Sequence, residues 1–142
     1  MKKILSLVLL LATFSAINAQ EVDYKKGLIK VDGADYAKME VKKENFGLTK
    51  NFQVFSLTGE KIMIGAVATE FDKDYNDNTF LYYRVTFLTV AQEGIFKIPS
   101  LDKEKAFAKL IGQSGILVNG AVDEKKVLEF IALRGSTPRI AQ

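Results

Sequence analysis

The sequence predicts one α+β domain: an antiparallel sheet of about six or seven strands with two short C-terminal amphipathic helices packed on it. Three observations carry that expectation. Alternating, β-rich segments fill the chain as far as Pro99, helical spacing of apolar residues begins only after it, and no Gly/Ser-rich linker, low-complexity stretch or internal repeat divides the 142 residues. The domain is expected over residues 20–142, because residues 1–19 read as a cleavable secretory signal: Lys2 and Lys3, an apolar run from Ile4 to Ala12, then small or polar Ala16, Asn18 and Ala19. Cleavage after Ala19 places Ile17 and Ala19 at the recognition positions, whereas a cut after Ala16 would put Phe14 there. The rival, a membrane anchor, needs about 20 predominantly apolar residues, and this run is shorter and lacks a basic cluster after it. No membrane span is expected after cleavage, and the expected location is periplasmic or secreted.

The first strands are Leu28 to Val31 and Tyr36 to Val41, flanking Asp32-Gly33, a dipeptide suited to a tight hairpin because glycine accepts positive φ. Ala37, Met39 and Val41 alternate with Lys38, Glu40 and Lys42, as in a strand with one wet face. Asn51 to Leu57 follows, and Thr58-Gly59-Glu60 turns it into Lys61 to Phe71. After a polar connector, Asp72 to Asn78, come the long run Thr79 to Val90 and a short strand, Ile95 to Ile98. A hairpin centred on Tyr75 would set Gly65 near Val85, Ala66 near Arg84 and Ala68 near Tyr82. Leu81, Tyr83, Val85, Phe87, Met63 and Val67 then share a core face. The opposite face carries Phe80, Tyr82, Arg84, Thr86 and Leu88 against Ile62, Ile64, Ala66, Ala68 and Glu70. It is too apolar to be simply wet, and the C-terminal segment supplies the candidates to cover it.

In that segment Ser100 or Asp102 can cap a helix with Ala106, Phe107, Leu110 and Ile111 on one side and Lys103, Lys105 and Lys109 off it, ended by Gly112. A short strand, Ile116 to Val118, and an Asn119-Gly120 turn follow. Asp123 then caps a second helix with Val127, Phe130, Ile131 and Arg134 at helical spacing, ended by Gly135. Residues 136–142 are expected to form a frayed tail.

Composition excludes more chemistry than it suggests. There is no histidine, cysteine or tryptophan, which removes Ser-His-Asp and Cys-His nucleophiles, thiol redox catalysis, imidazole or thiolate metal sites, disulfides, and the most favoured platform for quaternary amines. Lys2 and Lys3 supply two of the 20 basic residues and the signal holds none of the 17 acids. The mature chain therefore stands at 18 against 17, a net charge of +1, and its longest basic blocks are lysine pairs. No nucleic-acid partner is expected.

Three arrangements remain for chemistry. Ser100-Leu101-Asp102-Lys103 matches S-x-x-K, which arises often by chance and lacks the S-D-N and K-T-G companions; Ser100 as a helix cap explains the same residues. Asp72, Asp74 and Asn76 stand at alternate positions like the first ligands of a calcium loop, but Asp77 and Tyr83 occupy the places where an EF-hand needs glycine and glutamate. A solvated loop is favoured over an irregular calcium site there. Glu60, Glu70, Asp72 and Glu93 could supply two carboxylates for glycoside hydrolysis, yet nothing in their spacing selects a pair. Glu70 stands out because the expected register sets it on the face of Arg84 and Tyr82. Glu70, Tyr82 and Arg84 are thus the candidate ligand-binding residues, with an Arg84–Glu70 ion pair at the margin of a helix-covered face as the plainer account. The leading expectation is a non-enzymatic envelope or extracellular module that binds a protein, peptide or glycan without a cofactor; a carboxylate-dependent glycan hydrolase is the runner-up.

Overall fold

Side-chain alternation and turn chemistry together lay down the sheet. The computed structural model describes residues 20–44, 46–47, 49–71 and 79–138; the expected export signal and Asp72, Asp74 and Asn76 lie outside them. Strands β1 (Val22–Lys25), β2 (Leu28–Val31), β3 (Ala34–Glu44), β4 (Thr49–Phe55), β5 (Lys61–Val67), β6 (Phe80–Phe87) and β7 (Gln92–Pro99) each pair antiparallel with the next in chain order. Helix α1 (Lys103–Gln113), a small hairpin of β8 (Leu117–Val118) and β9 (Ala121–Val122), and helix α2 (Glu124–Arg134) complete the α+β fold.

Two-residue turns fix the hairpins. Asp32-Gly33 has φ of 51° and 81°, and Asn119-Gly120 has 53° and 80°; positive φ at both positions matches the twist of paired strands. Lys26-Gly27 does the same at 51° and 78°, joining β2 to β1, a strand not among those expected although Val22 and Tyr24 alternate with Asp23 and Lys25. Gly65 pairs with Val85 and Ala66 with Arg84, the expected register, and the Ala68 N–H continues it by donating to the Tyr82 carbonyl at 2.9 Å. One position departs from it. The pairing of β4 with β5 slips between Val54 and Phe55, and Ile62, expected on the second face, is buried in the core beside Met63.

The helices cover the face of Phe52, Tyr83, Val85 and Phe87, not the opposite one. Phe107 of α1 stacks on Phe52 with ring centroids 4.6 Å apart and leans on Tyr83 at 6.0 Å. Phe130 of α2 stacks on Phe96 at 4.8 Å and meets Phe87 edge-on at 6.3 Å. The expectation that the C-terminal segment covers the Tyr82 and Arg84 face is therefore corrected. The physical reason is a hole: Gly65 leaves room for the Phe107 ring, whose Cζ would lie 2.7 Å from a Cβ at that position.

Helix α1 touches β1, β2 and β3 on one side and β7 on the other. Six inter-strand gaps of about 4.8 Å would hold the edges of a flat sheet about 29 Å apart, so the sheet curls around α1 as an incomplete barrel. Tyrosine hydroxyls of the sheet, buried at Tyr83 and half-buried at Tyr24 and Tyr36, tie the elements together. Tyr24 donates to Glu104 Oε1 at 2.7 Å, Tyr83 donates to the Lys50 carbonyl at 2.7 Å, and the Tyr36 hydroxyl accepts the Leu117 N–H at 3.2 Å. Burial pushes the Tyr83 phenol up to about 12 and raises that of Tyr24, to which Glu104 adds; both stay protonated at neutral pH.

The helix ends are partly as expected. Asp123 caps α2, its side chain accepting the Lys126 N–H at 3.0 Å, and Gly135 closes it. At α1 the cap position is Asp102, in a left-handed conformation with φ 58° and no side-chain cap bond. Ser100 lies before it and donates its N–H to the Thr79 carbonyl, so Ser100 is not the cap. Because Lys103 is the first helical residue, Ser100 and Lys103 do not share a helical turn. Gly112 does not end α1 either; the helix runs to Gln113, and a Cβ on Gly112 would meet Val22 Cγ1 at 2.6 Å. Ser136, just past α2, donates its N–H to the Ile95 carbonyl of β7 at 2.6 Å.

Candidate functional site

The second face of the sheet is where the sequence-derived candidates meet. On a strand every other side chain points to the same side, so Tyr82, Arg84 and Thr86 of β6 stand beside Ile64 and Ala66 of β5 and Glu93, Ile95 and Lys97 of β7. Ala66 and Ile95 are the direct neighbours of Arg84 on either side. All of these except the exposed Glu93 and Lys97 are half-buried, and neither helix lies over them.

Arg84 organises the centre of this face. Its Nη2 donates to Glu70 Oε1, and its Nε pairs with Glu93 Oε1 at 2.9 Å. One guanidinium thus holds two carboxylates, leaving the cluster with a net charge of −1. Arg84 is 37 % and Glu70 40 % exposed, so solvent screens the pair and its effect on stability is modest, while the charges stay open to a partner. The hydrogen bond from Arg84, reinforced by the Glu70 backbone, holds the Glu70 carboxyl below its ordinary value, and Glu70 in turn holds Arg84 as a cation.

Glu70 makes the stability of the fold depend on pH with a definite sign. A carboxylate whose folded pKa is lowered stabilises the fold fully above its unfolded pKa, and that contribution is lost as pH falls through the folded value. An NMR titration of the Glu70 carboxyl should show a midpoint below that of an ordinary glutamate, and Arg84→Leu should return it toward the ordinary value. A Glu70 midpoint that Arg84→Leu leaves unmoved would show that the ion pair is not what sets it.

Tyr82 belongs to the same face but to a different cluster. Its ring meets Phe80 edge-on at 5.1 Å and Phe71 at 6.0 Å, and Lys97 Nζ sits over the Phe80 ring at 3.7 Å. Glu70 and Arg84 are therefore brought into contact, with Tyr82 two residues along the strand in an aromatic group. The Arg84–Glu70 pair was expected at the margin of a helix-covered face; it lies on the uncovered face instead.

Sequence reasoning missed the role of Glu93. The short strand expected from Ile95 left Glu93 in a turn, whereas β7 begins at Gln92 and Glu93 pairs with Thr86. Extending β7 backward by the alternation Ile98, Phe96, Gly94 would have placed Glu93 beside Arg84. Glu60 lies in the turn between β4 and β5, where its N–H donates to Ser56 Oγ at 3.2 Å. Among the described residues no three His, Cys, Asp or Glu side chains are grouped to hold a metal ion, and the calcium candidates Asp72, Asp74 and Asn76 fall outside those residues. No described helix is long and apolar enough to cross a membrane. The chain matches no protein-family model, no curated protein and no solved structure.

Proposed function

We propose that this chain is an exported, non-enzymatic binding module whose second sheet face, centred on Arg84, engages a protein partner of the cell envelope. The observation that carries the reading is that the helices cover one face of the sheet, while the other keeps Ile64, Ala66 and Ile95 around a half-exposed charged cluster with neither helix over it. Apolar surface beside oriented charges suits a partner that buries the first and pairs with the second. The net charge of −1 on Arg84, Glu70 and Glu93 favours a lysine- or arginine-bearing segment. The export signal read in residues 1–19 supports an envelope or extracellular location. Glycoside hydrolysis is the weaker reading, because its general acid needs a raised pKa and Arg84 lowers that of Glu70.

Site-specific photo-cross-linking in the native envelope tests the proposal. A photoreactive residue at Ile64 or Ile95 should capture one discrete protein, Arg84→Glu should abolish that capture, and the same group at exposed Lys125 on α2 should not yield it. Equal capture from both positions would overturn the sheet-face reading, as would a glycan adduct in place of a protein.

A further inference from the structure

The hairpin of β3 and β4 outruns the core, and its overhanging end has an unusual composition. Ala37, Met39 and Val41 of β3 face the core together with Phe52 and Val54 of β4. Continued one rung outward, that same parity brings Lys43 opposite Lys50, two like charges where every inner rung is apolar. Directly opposed like charges destabilise a strand pair. Lys43 is exposed and Lys50 half-buried, and neither forms an ion pair among the described residues. Beyond the last rung, Glu44 with Thr49, the turn carries Phe46, which is fully exposed and held at φ 58°. A phenylalanine at positive φ is an uncommon choice at any turn, and one wholly in water contributes nothing to the core.

The geometry points to this hairpin end as a reversible docking site for an anionic phospholipid surface, with Phe46 entering the headgroup boundary and Lys43 and Lys50 facing lipid phosphates. An aromatic side chain suits the membrane interface, and lysines just behind it are drawn to a negatively charged leaflet. Charge complementarity selects this occupant: the lysine rung that is unfavourable in the free protein is relieved by phosphate. The Lys43–Lys50 rung has the opposite parity to the row of Arg84, so each site can fail without the other.

The absence of tryptophan from the chain provides a clean reporter. In protein isolated from its cells, Phe46→Trp introduces a single indole at the turn, and Leu133→Trp introduces one at another exposed place, on α2. On mixing with vesicles of equal parts phosphatidylglycerol and phosphatidylcholine, the indole at position 46 should shift its emission to the blue and that at 133 should not. Vesicles of phosphatidylcholine alone should give no shift. Lys43→Ala with Lys50→Ala should weaken vesicle binding about 25-fold, near fivefold for each lysine, and because both changes leave the backbone pairing and the Lys50 carbonyl in place the fold should persist by circular dichroism. An unshifted indole at 46, an equal shift at 133, an equal shift with neutral vesicles, or unchanged binding by the lysine variant would each overturn the proposal.

Discussion

Phe107→Ala is expected to lower the free energy of unfolding by about 3–5 kcal/mol, the range for removing a large aromatic from a core that cannot collapse around the loss. The ring is wholly buried, stacked on Phe52 and leaning on Tyr83, and set over Gly65, where no side chain can move in. Its loss also acts at a distance from the cavity. Because α1 touches β1 to β3 and β7, the ring anchors the element that spans both sides of the curled sheet. Total stability of a domain this size is about 5–15 kcal/mol, so the variant should sit near the edge of folding. Urea denaturation followed by circular dichroism measures the difference. Leu133→Ala, also on a helix but 82 % exposed, should change stability by less than about 0.5 kcal/mol. A cost below about 1 kcal/mol at Phe107 would mean that α1 is not held by this ring.

What could be read from the sequence, and what could not, divides along the range of the interaction involved. The register of β5 on β6 and the Asp32-Gly33 and Asn119-Gly120 turns were legible because each is set by residues close in the chain. So was the Asp123 cap. The Arg84–Glu70 pair followed from that register without further information. Strand β1 was missed because its alternation, Val22 and Tyr24 against Asp23 and Lys25, spans only four residues and its turn, Lys26-Gly27, lacks the Asn or Asp that usually marks such hairpins. Glu93 was missed because Gln92, Glu93 and Gly94 have low β propensity and owe their strand to pairing with β6. The covered face was not legible at all. Both faces of β5 and β6 are apolar, and the choice between them depends on a glycine in β5 meeting a phenylalanine 42 positions later. That contact does not show in the hydrophobic pattern of either segment.

The contact also yields the prediction that separates the two possible sheet faces by sign. Gly65 does not have positive φ, so alanine can take up its backbone conformation. On an open strand face Gly65→Ala would stabilise the protein by about 0.4–1 kcal/mol, because it restricts the unfolded chain. Here the new Cβ would lie 2.7 Å from Phe107 Cζ and 2.8 Å from Cε2, closer than carbon atoms approach. The ring cannot turn aside, since Phe52 stacks on one face of it. Overpacking of this kind costs about 1–3 kcal/mol, which outweighs the entropic gain and makes the net change destabilising; Gly65→Val should cost more. If the clash is the cause, shortening the partner should relieve it. Phe107→Leu alone should destabilise, but joined to Gly65→Ala it should cost less than the two changes summed, by a coupling of about 0.5–3 kcal/mol. Urea denaturation of the four proteins completes the cycle. A stabilising Gly65→Ala would place the helices on the Arg84 face, and additive costs would place the strain somewhere other than between these two residues.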